Sequence, residues 1–183
     1  MAAAPALALA LALALGLGAC GGDDLGGGFG TLTDCAKVGR ATSAADRTGD
    51  APADVDLVRA TLARDRGRLC LDVRVAGEVG SGTAYALELT PAGDPSGPPV
   101  TVEVTLLAGQ EPQVRRRSLD AGERGAAVED AVVGGEGDRL TVLVPREAFS
   151  GATERGVVAD PDWRVRALAI VDGERRGDDL QPR

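Results

Sequence analysis

Four carboxylates fall within eleven residues in the stretch Asp46-Arg-Thr-Gly-Asp50-Ala-Pro-Ala-Asp54-Val-Asp56. Carboxylates spaced along a loop with Gly49 and Pro52 are what a hard cation needs. Calcium takes six to eight oxygens, and loops supply backbone carbonyls beside the acids. The spacing is not that of an EF-hand, which wants acids at positions 1, 3 and 5, then Gly, then a distant Glu. Structural calcium on Asp46, Asp50, Asp54 and Asp56 is one expectation. The other is a solvated acidic turn, because Asp favours turns for backbone reasons alone.

Other chemistries are narrower. The chain has 183 residues and no His, which removes a Ser-His-Asp triad, a Cys-His dyad and imidazole metal ligation. Its 28 acids against 20 bases give a net charge of −8, a poor balance for nucleic acid, whose affinity comes from neutralised phosphates. The acidic excess lies at the two ends of the domain, before Leu57 and after Gly125. Glu103, Glu111 or Glu154 could pair with an Asp for glycoside hydrolysis, which needs two carboxylates at a set separation; any acidic domain offers such pairs. Arg115, Arg116 and Arg117 read either as an anion-binding run or as a charged edge strand guarding against aggregation. Gly134-Gly-Glu-Gly-Asp138 reads as a tight turn before a strand, which excludes a phosphate loop opening a helix.

The three cysteines are Cys20, Cys35 and Cys70. Residues Ala2 to Ala19 carry no charge, and Ala6–Leu17 has the length of a secretory signal core. It ends in Leu17-Gly18-Ala19-Cys20, followed by Gly-Gly-Asp-Asp. This resembles a bacterial lipoprotein signal, although only the amino terminus of Met1 is positive ahead of the core. The resemblance implies diacylglycerol on the Cys20 sulfur, cleavage before Cys20 and acylation of the new amine. The protein would then be held at the cell membrane on the extracytoplasmic side, since two or three chains anchor where one does not. With Cys20 carrying lipid, Cys35 and Cys70 are an even remainder in an exported chain and read as one disulfide. A redox pair is the alternative, without a Cys-x-x-Cys spacing to support it. In Leu69–Val75 the apolar residues share one face; Cys70 lies with Asp72 and Arg74 on the other, where Cys35 could pin the back of a sheet.

The elements that must carry these residues are strands. Residues 20–34 are a Gly-rich, acidic tether. From residue 35 to 171 period-two alternation predicts about eight strands: Leu57–Ala63 with Val58, Ala60 and Leu62 inward, Leu69–Val75, Thr83–Thr90, Val100–Leu106, Gln113–Leu119, a weak run over Ala126–Val133, Leu140–Val144 and Trp163–Val171. A long Pro-rich loop spans Pro91–Pro99, and Arg146–Phe149 reads as one helical turn. Residues 172–183 read as a charged tail without an apolar pattern. The fold expected is an all-β, antiparallel, jelly-roll-like sandwich over 35–171, preceded by a signal peptide (1–19) and the tether.

The string D-x-x-G-D-x-x-x-D-x-D-L, then G-R-L-C-L-D-V-R-V, then a strand bearing Tyr85, resembles the opening of glucodextranase-C-like, family-nine carbohydrate-binding and DOMON-like β-sandwiches. L-T-V-L-V-P-R-E-A-F followed by Trp163-Arg-Val resembles their closing half. The resemblance spans about Asp46 to Val171 and implies a sandwich, with calcium as a structural ion, in a superfamily associated with sugar or cofactor binding. The sequence departs where ligands would bind. Tyr85 and Trp163 both fall on apolar strand faces, and residues 20–183 hold neither the Met nor the His of haem ligation. The function expected is therefore a non-catalytic binding or structural module at the cell envelope, with polysaccharide or another envelope protein as partner. A carboxylate-dependent hydrolase of envelope or extracellular polysaccharide is the alternative.

Overall fold

A computed structural model of the chain describes residues 35, 38–64, 67–91, 99–118, 125–149 and 161–182. Residues 1–34, on which the expected signal peptide, Cys20 and the expected tether fall, lie outside the described residues, as do residues 92–98 of the Pro-rich loop. Among the described residues no helix is long and apolar enough to cross a membrane.

Among the described residues eleven strands form two antiparallel sheets. In chain order they are β1 (Arg40–Ala45), β2 (Leu57–Arg64), β3 (Arg68–Val75), β4 (Thr83–Pro91), β5 (Val100–Leu106), β6 (Gln113–Ser118), β7 (Ala126–Ala127), β8 (Val132–Glu136), β9 (Arg139–Pro145), β10 (Pro161–Val171) and β11 (Glu174–Leu180). One sheet has the order β1-β2-β3-β9-β8, the other β11-β10-β4-β5-β6-β7. The sandwich is thus a three-strand meander and a hairpin in one layer, and a four-strand meander and a hairpin in the other. β3 pairs with β9, and their successors β4 and β10 pair in the opposite layer.

The alternation that predicts strands also builds the core. Ala60, Leu62, Leu69, Leu71, Val73, Leu140, Val142 and Val144 from one sheet meet Tyr85, Leu87, Leu89, Val100, Val102, Val104, Trp163 and Val165 from the other. Each full burial of a Val or Leu contributes about 1.5–3 kcal/mol. Tyr85 is wholly buried, and burial pushes its phenol up to about 12; its hydroxyl donates to the Asp54 carbonyl at 2.8 Å. A second, smaller cluster lies on the back of the first sheet: Cys35, Val38, Ala63 and Cys70, with Leu143 against them. There Cys35 and Cys70 are joined, with Cα atoms 5.3 Å apart.

Several local expectations need correction. In β2 the pairing passes from Leu57↔Val75 to Arg59↔Arg74, so Val58 is the extra residue of a bulge. The bulge reverses the parity ahead of Ala60: Leu57 is fully buried and Val58 is only half-buried. The run Ala126–Val133 divides, with β7 at the edge of one sheet and β8 at the edge of the other. Gly134, Gly135 and Glu136 belong to β8, and the hairpin turn shrinks to Gly137-Asp138, with Gly137 at φ 56°. The expected tail over 172–183 is a strand through Leu180. Asp172-Gly173 turns the chain, and Glu174–Leu180 pairs with β10 as the edge strand β11. Gly177 is required there, because a Cβ would stand 2.2 Å from the Ala167 carbonyl oxygen. The domain therefore extends past residue 171. Arg146–Ala148 is a single 3-10 turn, as expected.

Candidate metal centre

The loop between β1 and β2 is shaped by its own backbone. The N–H groups of Val55 and Asp56 both donate to the Pro52 carbonyl, at 2.9 and 2.8 Å. The turn is clamped to the next loop by Gly77 N–H on the Ala53 carbonyl (2.7 Å) and Ala76 N–H on the Asp56 carbonyl (2.9 Å). This winds Asp56 inward at the mouth of β2, directly before the bulge. Its side chain is 2 % exposed. One carboxylate oxygen, Oδ2, accepts the Gly49 N–H at 2.6 Å; the other, Oδ1, is buried and has no hydrogen-bond donor.

Of the four loop acids, the structure brings two together and adds a third from the far end of the chain. Carboxylate oxygens of Asp50, Asp56 and Asp178 lie within 4.8 Å of one another. Asp178 stands on β11, where its Oδ2 accepts the Leu57 N–H at 2.8 Å and its Oδ1 the Asp179 N–H at 2.7 Å. One acid from the C-terminal end of the domain thus meets two from its N-terminal end. Asp46 and Asp54 are not in this group. Asp46 turns its Oδ1 to the Arg47 N–H, and Asp54 contributes its backbone carbonyl to Tyr85.

The Asp178 carboxyl is raised above the ordinary carboxylate range, first by burial and then by the charges of Asp50 and Asp46, against the two N–H bonds that lower it. A raised acid holds its proton to higher pH in the native state than in the unfolded chain. In chelator, the contribution of Asp178 should therefore be largest below the unfolded carboxylate value and be lost as pH rises through the raised native value. Denaturant midpoints in EDTA between about pH 3 and 7 should show this as a difference from Asp178→Asn, which lacks the titration. Parallel pH profiles for the two proteins would contradict it.

The remaining candidates are placed elsewhere. Glu103 forms an ion pair with Arg117 at 3.2 Å on the outer face of the second sheet. Arg115 reaches the Gly125 carbonyl at 3.4 Å, so the arginine run is divided among neighbours and is not one uniform patch. It lies on β6, next to the edge, and the two residues of β7 cover it. Glu111 is exposed in the β5–β6 connection, and Glu154 lies outside the described residues. Trp163 is 6 % exposed, and its indole N–H donates to Thr42 Oγ1 of β1 at 2.8 Å. It borders a groove of about 640 Å³ whose lining mixes charged and polar groups such as Arg64, Glu88, Arg164 and Gln181 with Pro99, Pro161 and Pro182.

Comparison with protein-family models, with curated proteins and with solved structures finds no match to the chain.

Proposed function

We propose that the protein is a lipid-anchored, extracytoplasmic β-sandwich that serves as a non-catalytic binding or structural module at the cell envelope. The observation that carries this reading is the Cys35–Cys70 bridge, which closes over the back of one sheet. Such bridges persist in oxidising compartments and are rare where thiols are kept reduced. The bridge leaves Cys20 as the remaining cysteine, standing where the L-G-A-C motif would receive lipid. The burial of Tyr85 and Trp163 weighs against sugar stacking as the mode of binding and favours contacts through polar side chains or another envelope protein.

The test is the intact mass of the protein extracted in detergent from a bacterial host that matures lipoproteins. The expected species begins at Cys20 and carries diacylglycerol with or without an amide-linked acyl chain; Cys20→Ser should abolish the lipid mass completely. A membrane-extracted chain with an unmodified Cys20 thiol would overturn the anchor.

A further inference from the structure

We propose that Asp50, Asp56 and Asp178 together hold one divalent cation of the calcium class, which fastens the loop before β2 to the C-terminal strand β11. The inference is independent of the lipid anchor.

The distances admit a single ion. Calcium lies about 2.3–2.6 Å from its oxygens, so oxygens on opposite sides of it are roughly 5 Å apart. Three carboxylate oxygens within 4.8 Å of one another can all reach one such ion. The second observation is independent of the clustering. Asp56 is almost fully buried, is aimed into the group, and has an oxygen, Oδ1, without a donor. A buried acceptor without a partner is costly. The side chains grouped with Asp56 are the carboxylates of Asp50 and Asp178, which in their ionised form only accept. A cation supplies the missing partner and offsets the repulsion among the three acids.

The donor set selects the class of ion. All three ligands are oxygens, with neither the imidazole nor the thiolate that transition metals favour. Asp50 is exposed, so the open side of the group leaves room for water to complete a coordination of six to eight. Magnesium demands near-ideal octahedral geometry and usually takes only one or two carboxylates, which makes calcium the better fit. The bulge at Val58 serves the arrangement, since it sits beside Leu57, whose N–H orients Asp178. Residues at opposite ends of the domain would then be tied by one ion.

The experiment is thermal unfolding and titration calorimetry of the full chain in detergent, with calcium chloride alone, magnesium chloride alone and EDTA. Calcium at a hundredfold excess over its Kd should raise Tm by roughly 5–10 °C with one ion bound per chain, and EDTA should reverse the shift. Magnesium should give a smaller shift. Asp178→Asn and the exposed Asp50→Asn should lose most of it, while Asp54→Asn, outside the group, should keep it in full. The Asp50 variant answers the question should the Asp178 variant fail to fold. Absence of a calcium-dependent shift and of binding heat at millimolar calcium would overturn the proposal, as would a shift that survives in Asp50→Asn or disappears only in Asp54→Asn.

Discussion

Replacing both Cys35 and Cys70 by Ala is expected to destabilise the domain by about 4 kcal/mol, chiefly by freeing the unfolded chain. The bridge closes a loop with a sequence separation of 35 residues, and loop-closure entropy for that length gives ~4 kcal/mol at room temperature. The native side of the ledger points the same way. Cys35 and Cys70 are the centre of the small cluster on the back of the first sheet, with Val38, Ala63 and Leu143 around them. Without the bridge, no cross-link holds Cys35 and Val38 over β2 and β3, and the back of the sheet at Ala63 of β2 and Cys70 of β3 opens to water. Guanidinium unfolding of the full chain, with and without prior reduction, measures the effect. Reduction of the natural chain should reproduce the double substitution, and adding reductant to the double variant should change nothing. A loss below about 1 kcal/mol would mean that the loop is held by other contacts and that the bridge is incidental to the fold.

The layering and most of the strands were legible because burial on one face forces alternation, and alternation is visible residue by residue. Val100, Val102, Val104 and Leu106 are all buried, with half-exposed residues between them. What escaped did so for reasons that are also local. β1 reads Arg-Ala-Thr-Ser-Ala-Ala, with only Ala44 buried; it is an edge strand that meets the core through Ala44 and reaches an indole N–H through Thr42. β11 carries Glu174, Arg176 and Asp178 where an inward face would show apolar residues, because that face presents Asp178 to the carboxylate group and only Leu180 to the core. Its signal was the turn. Asp172-Gly173, both at positive φ between the paired Val171 and Glu174, is the dipeptide that a two-residue hairpin favours. The bulge at Val58 shifts a face by one residue and leaves no mark in composition.

The candidate metal centre shows the same division. The density of acids marks the loop in the sequence, and Asp50 and Asp56 do converge. Which of the four loop acids face inward depends on the turn at Pro52 and on the bulge, neither of which spacing reveals. Asp178 could not be found by spacing at all. It meets Leu57 across 121 residues of sequence, through a strand whose own pattern is polar.

Trp163→Ala is expected to cost about 3–5 kcal/mol, the range for removing a buried aromatic side chain. The magnitude bears on function as well as on stability. If Trp163 were a platform for a sugar ring, its face would be open, and its loss would weaken binding while leaving the fold nearly unchanged. The indole is instead 6 % exposed, packed in the core opposite Leu89 of β4, with its N–H committed to Thr42. That hydrogen bond links β10 of one sheet to the edge strand of the other, so the indole closes one open side of the sandwich. Trp163→Phe should keep most of the packing and lose the bond, for a cost of about 1 kcal/mol, because Thr42 is exposed and water takes its hydroxyl. Thr42→Val should cost less than the Phe variant, and the double variant should cost less than the sum of the two, since the same bond is removed once. Denaturant unfolding followed by far-ultraviolet circular dichroism measures all four proteins on one scale. A Trp163→Ala chain as stable as the natural one would contradict the core role and would return the groove beside Trp163 to consideration as an aromatic binding surface.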